Sequence, residues 1–155
     1  MQITIDGDGQ RADVTGTRAP LPGLRSAAPI VSVIGQYNRV AGLERHLPSG
    51  WIMRRRRSLD EVVPDDLVLL SGATRQDVEA ARALLPRRAR VVALLDDGAP
   101  PDTVAAVLTA GADACVRDGH PAILAGHLVA CRRRQTAERW SAHPLMADSG
   151  RPVAV

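Results

Sequence analysis

The chain has 155 residues, 45% hydrophobic and 24% charged, which is enough for one globular domain with short tails. Aromatics make up only 2%, with no Phe, so the core must be built from Val, Leu, Ile and Ala; this argues against a β-sandwich and against an aromatic stacking platform for nucleic acid. Net charge is +3, and all 20 basic residues are Arg with no Lys, which permits only weak attraction to nucleic acid or acidic partners.

Residues 1–29 differ from the rest of the chain. Gln2-Ile3-Thr4-Ile5, the turn signal Asp6-Gly7-Asp8-Gly9 and Arg11 to Val14 fit either a small hairpin or a disordered leader, and Pro20 to Pro29 reads as a linker. From Ile30 the pattern is regular. Ile30 to Ile34 is an apolar run ending at Gly35, as expected of a buried parallel strand. A helix is expected next, capped by Asn38, with Val40, Leu43 and Leu47 on one face, ending at Pro48-Ser49-Gly50.

Trp51-Ile52-Met53 with Arg54, Arg55, Arg56 and Arg57 predicts a second strand at a sheet edge, where charge discourages further pairing. A very short helix from Ser58 should stop before Pro64. Leu67 to Leu70 is the third strand. Thr74 and Asp77 form a capping box for a helix running to Leu85, with Val78, Ala81 and Leu85 inward. Val91 to Leu95 is the fourth strand, and Asp96-Asp97-Gly98 is a turn. Pro100-Pro101 opens a helix with Val104, Val107 and Leu108 inward, which ends at Gly111. Ala114 to Val116 is the fifth strand. A last helix begins near Pro121 with Ile123, Leu124, Leu128 and Cys131 inward, and extends through Arg132, Arg133 and Arg134 towards Trp140. Strands alternating with helices predict an α/β fold with a doubly wound, five-stranded parallel sheet over 30–138, flanked by an extension at 1–29 and a tail at 139–155.

Cys115 and Cys131 lie in apolar surroundings without a CxxC motif, so two reduced thiols and a cytoplasmic setting are expected. No apolar run approaches roughly 18 residues, and the first residues carry no hydrophobic stretch, so neither a membrane span nor a secretory signal is expected. His120 and His127 are two helical turns apart, and His46 and His143 stand alone, so no metal site is expected. No cofactor motif is present: the chain lacks a Gly-rich phosphate loop, HExxH and a Ser elbow.

Two stretches carry a resemblance to a known family. Pro64-Asp65-Asp66 followed by Leu67 to Leu70, and Asp102-Thr103-Val104 through Ala110-Gly111-Ala112-Asp113-Ala114-Cys115-Val116, resemble the third strand and the fourth-helix-to-fifth-strand passage of response-regulator receivers, the CheY-like family of the flavodoxin-like fold. The resemblance implies a signalling role. It also implies five positions at the carboxyl ends of the strands: an acidic pair for Mg²⁺, an Asp that accepts the phosphoryl group, and a Ser or Thr and a Lys that bind it.

This sequence departs at each position. Gly35, Gln36 and Tyr37 stand at the acidic pair, Ser71 at the acceptor, Leu95 or Asp96 at the Ser/Thr position, and Asp118 at the Lys. An Asp there repels a phosphate, by roughly 4 kcal/mol for unit charges about 4 Å apart at an effective dielectric near 20.

The expectation is therefore a pseudo-receiver: non-catalytic, independent of phosphorylation, and acting through protein contacts in bacterial signalling or transcriptional control. The resemblance places the contact surface, for a protein partner or a homodimer, on the last two helices and fifth strand: Val104, Val107, Arg117, His127, Arg132, Arg133 and Arg134. Three alternatives stay open: a small-ligand sensor in the carboxyl-edge crevice, a module positioning a pilus or secretion ATPase, and a nucleic-acid binder using Arg54, Arg55, Arg56 and Arg57 as an anion site. Side chains alternate along a strand, so those four arginines do not form one flat patch.

Overall fold

The computed structural model describes residues 27–117 and 119–142. The extension up to residue 26, where a hairpin and a disordered leader both fit the sequence, the position at Asp118, and the tail from His143 onward lie outside the described residues.

Five parallel strands form one sheet: β1 (Ile30–Gly35), β2 (Ile52–Arg55), β3 (Leu67–Ser71), β4 (Arg90–Leu95) and β5 (Ala114–Arg117). Their order is β2-β1-β3-β4-β5, the flavodoxin-like doubly wound order, so the predicted fold class is correct and β2 is an edge strand as its arginines required. All five residues of β3 are buried, which explains its unbroken apolar run.

Alternation along the strands sends residues to two cores. Val31, Val33, Leu67, Leu69, Val92 and Leu94 face α3 (Pro121–Ser141) and the crossover after β1. Val68, Leu70, Val91, Ala93 and Leu95 face α1 (Arg75–Leu84) and α2 (Pro101–Thr109).

The crossover after β1 is not the expected helix. It forms two 3₁₀ turns, Tyr37–Val40 and Leu43–His46. Gly42, in the left-handed region at φ 83°, breaks the chain between them. Asn38 therefore lies inside the first turn and is not its cap: Gln36 precedes that turn and makes no side-chain cap bond. The apolar spacing still served its purpose, because Val40 and Leu43 are buried in the core that α3 covers.

The other local signals hold. Thr74 and Asp77 form a reciprocal capping box, with Val78 and Ala81 buried behind it. Pro100 caps α2 and Pro101 opens it. Two inward assignments fail. Leu108 is 43% exposed, because α2 meets chiefly α1 and the short β5 and so buries a narrow stripe. Ile123 is 56% exposed, because the stripe of α3 runs through Leu124, Leu128, Cys131 and Gln135, one residue aside.

Gln135 is buried although polar. Its amide donates to Arg88 O at 3.2 Å and Asp65 O at 3.5 Å, and its Oε1 accepts from Arg132 at 2.7 Å. These bonds tie α3 to the loops entering β3 and β4. Asp113 does similar work at the amino ends of β4 and β5: it accepts from Arg82 at 2.5 Å, Arg90 at 2.7 Å and the Val91 amide at 2.7 Å. Arg90 continues the chain of charge to Glu138 on α3. Burial alone would lower the Arg90 guanidinium, but its bonds to Asp113 and Glu138 outweigh this and hold it above its ordinary value.

Candidate functional site at the carboxyl edge

A doubly wound sheet offers its crevice at the carboxyl ends of the central strands. Here β1 and β3 close on each other at that edge. Gly35 pairs with Ser71 in the ladder, and the Gln36 amide donates to Ser71 O at 3.2 Å. The Ser71 hydroxyl returns a bond to Gln36 O at 2.7 Å. Gly35 sits at φ 100°, and a Cβ there would lie 2.2 Å from the Ser71 carbonyl oxygen. A side chain of any kind at Gly35 is sterically excluded, carboxylates included.

Ser71 is thus a sealed residue, 4% exposed, with its hydroxyl turned to the backbone of the β1 loop. Gln36 is exposed, and its side chain lies over Gly72. Tyr37 packs against the first core, and its ring carries the Arg55 guanidinium at 5.8 Å.

The edge also holds a cation the sequence did not single out. Arg39, on the first 3₁₀ turn, reaches across the edge to β4: its Nη2 donates to Leu95 O at 3.2 Å and its Nη1 lies 2.8 Å from Asp96 Oδ1. Asp96 is mostly exposed and Arg39 is not, so the pair is a half-solvated clamp of modest strength. Nothing local to Arg39 marks it, because its partners lie on the far side of β3, in a strand more than fifty residues along the chain. Leu95 itself is buried in the second core. Arg117 ends β5 and donates to Ala99 O at 3.3 Å.

The described residues line two shallow clefts at this edge. One, of about 290 Å³, is lined by Gln36, Ser71, Gly72 and Asp77; the other, of about 420 Å³, by Thr74, Arg75, Asp96 and Thr103. Their acids are engaged: Asp77 in the capping box and Asp96 with Arg39. Among the described residues no cluster of three His, Cys, Asp or Glu is placed to hold a metal ion. No described helix is long and apolar enough to cross a membrane.

The expected contact surface splits. Val107 is 0% exposed and belongs to the core, as its place in the inward stripe required, so it cannot form part of the surface on which the resemblance placed it. Val104 is half-buried beside it. His127 and Arg133 are exposed on α3, while Arg132 donates to Asp65 O at 3.3 Å and Arg134 to Cys131 Sγ at 3.2 Å.

The four-arginine run disperses as alternation requires. Arg54 is exposed and Arg55 covers Tyr37. Arg56 turns to Ser32 Oγ at 3.3 Å and to the buried Asp66 at 3.9 Å, and the Arg57 amide donates to Glu61.

No family model and no curated protein matches this sequence. Solved structures do. One is the signal receiver domain of an HD domain-containing protein from Pseudomonas fluorescens Pf-5, with a TM-score of 0.58 at 14% identity, covering 74% of this chain and 94% of that one. Another is a response regulator receiver protein from Pseudoalteromonas atlantica, with a TM-score of 0.52 at 13% identity, covering 72% of this chain and 99% of that one. The chain has the receiver fold.

Proposed function

We propose that this chain is a regulatory module that keeps the receiver scaffold, takes no phosphoryl group, and acts by protein contact in bacterial signalling or transcriptional control. One observation carries the reading: the Ser71 hydroxyl at the acceptor position is spent on Gln36 O at 2.7 Å, against a Gly35 that has no room for a metal-binding side chain. Phosphoryl transfer needs a metal and fixed positive charge to offset the developing negative charge. At this edge the cation nearest β4 is Arg39, and it is already held by Asp96 and Leu95 O. A module of this kind presents one surface at all times, and its partner's abundance sets the signal.

The test is incubation of the full chain with acetyl phosphate and Mg²⁺, followed by intact-mass measurement and denaturation. The expected outcome is unchanged mass and unchanged stability. A stable acyl phosphate overturns the reading.

A further inference from the structure

The chain has two Trp residues, and both line one groove. It runs between the second half of α3 and the segment joining the second 3₁₀ turn to β2, encloses about 480 Å³, and is walled by Pro48, Trp51, Val129, Arg133, Ala137 and Trp140. Trp140 is 75% exposed, so most of the apolar area that an indole can bury stays in water. The groove exists because the crossover after β1 is two short turns where a doubly wound fold usually sets a helix beside the last one. Helical spacing puts Val129, Arg133, Ala137 and Trp140 on one side of α3, flanking its core stripe of Leu124, Leu128, Cys131 and Gln135.

From this groove, resting on the reading above that the chain works by protein contact, we infer that α3 and Trp51 form the docking site for an acidic amphipathic helix of a partner protein. Charge selects the occupant. Arg133 is exposed at the groove with no ion-pair partner among the described residues. Arg132 lines it too, and burial together with the neighbouring Arg139 presses its guanidinium below the ordinary value. A carboxylate arriving there relieves that repulsion. A second copy of this chain is the poorer occupant. Its α3 would bring four arginines (132, 133, 134 and 139) against one acid, Glu138, which is already bound to Arg90. Shape selects a helix: a groove alongside a helix takes apolar anchors spaced three and four residues apart.

The two Trp residues report on the groove directly. The experiment titrates the full chain with a synthetic amphipathic helical peptide bearing Leu on one face and Glu on the other, and with the same peptide carrying Lys for Glu, and follows Trp emission. The Glu peptide should give a saturable blue shift that weakens with salt. In Arg133→Glu, an exposed substitution whose fold is checked by circular dichroism, the Glu peptide should bind roughly tenfold or more weakly and the Lys peptide should gain affinity. Equal binding of both peptides, no saturable shift, or an unchanged affinity in Arg133→Glu overturns the inference. So does a concentration-dependent dimer in sedimentation that Trp140→Glu abolishes, since a second copy would then fill the groove. None of these outcomes bears on acetyl phosphate, so the docking site and the loss of phosphorylation fail separately.

Discussion

The backbone of Ser71 lies so close to Gly35 that only glycine fits there. In Gly35→Ala the new Cβ would meet a backbone carbonyl at 2.2 Å in a left-handed conformation, and neither can yield without moving a central strand. The expected loss is at least about 2 kcal/mol, read from the urea midpoint. Ser71→Asp, which writes the receiver's acceptor back into the sequence, should not restore phosphorylation. It should place a carboxylate against Gln36 O and destabilise the chain by about 2–3 kcal/mol at neutral pH. Burial raises the folded-state pKa of such a carboxyl above its unfolded value, so the deficit is full above the folded pKa and closes as pH falls below about 4. Urea titrations at pH 7 and near pH 4 check both the size and the sign. At this scale the sequence located Gln36, Ser71 and Asp96 on one edge, because strand ends can be read from apolar runs. It did not reveal Arg39, whose role depends on partners contributed by β4.

Elements formed where their signals were local. The capping box of α1 needs only Thr74 and Asp77, three residues apart, and it appears as the sequence requires. The crossover after β1 differed because its apolar spacing fits a helix and two 3₁₀ turns alike, and Gly42 decided between them. The long α3 depends on distant support: beyond Gln135 its side chains are exposed, and Glu138 holds it through Arg90 to Asp113. Asp113→Ala should therefore cost about 2–3 kcal/mol, since it leaves the Val91 amide without this acceptor and takes the carboxylate from Arg82, which keeps Gly111 O and Ala89 O, and from Arg90, which keeps Glu138. Hydrogen exchange should also show the last two turns of α3 losing protection before the rest of the helix does.

The described residues build one sheet with two apolar faces, and each face holds one cysteine: Cys131 in the first core, Cys115 against the second. Cys131 is buried against the first face, and burial raises its thiol above the ordinary value, with Arg134 offsetting part of the shift. A thiol whose folded pKa is raised binds its proton more tightly than the unfolded chain does. Stability should therefore be independent of this group below about pH 8.5 and fall as pH rises above it. Urea midpoints at pH 7 and about pH 9.5 should show that loss, and Cys131→Ala should show less of it despite starting lower. Cys115, half-buried and also raised by burial, should react with a thiol reagent in the native chain well before Cys131 does.

Period and composition determined the sheet. Apolar runs of strand length, separated by capped helices in a chain nearly free of aromatics, leave little but a parallel sheet covered on both faces, and the order β2-β1-β3-β4-β5 is the doubly wound solution. The identities of the residues at the strand ends also belonged to the sequence, including the missing Lys. Only the tertiary structure decided how those ends are used. Gly35 and Ser71 seal the edge, Arg39 crosses it, and Trp51 and Trp140 come together beside α3 from opposite halves of the chain. The physical reason is the same in each case: these contacts join residues far apart in sequence, and no local period or propensity encodes which distant group a side chain will meet.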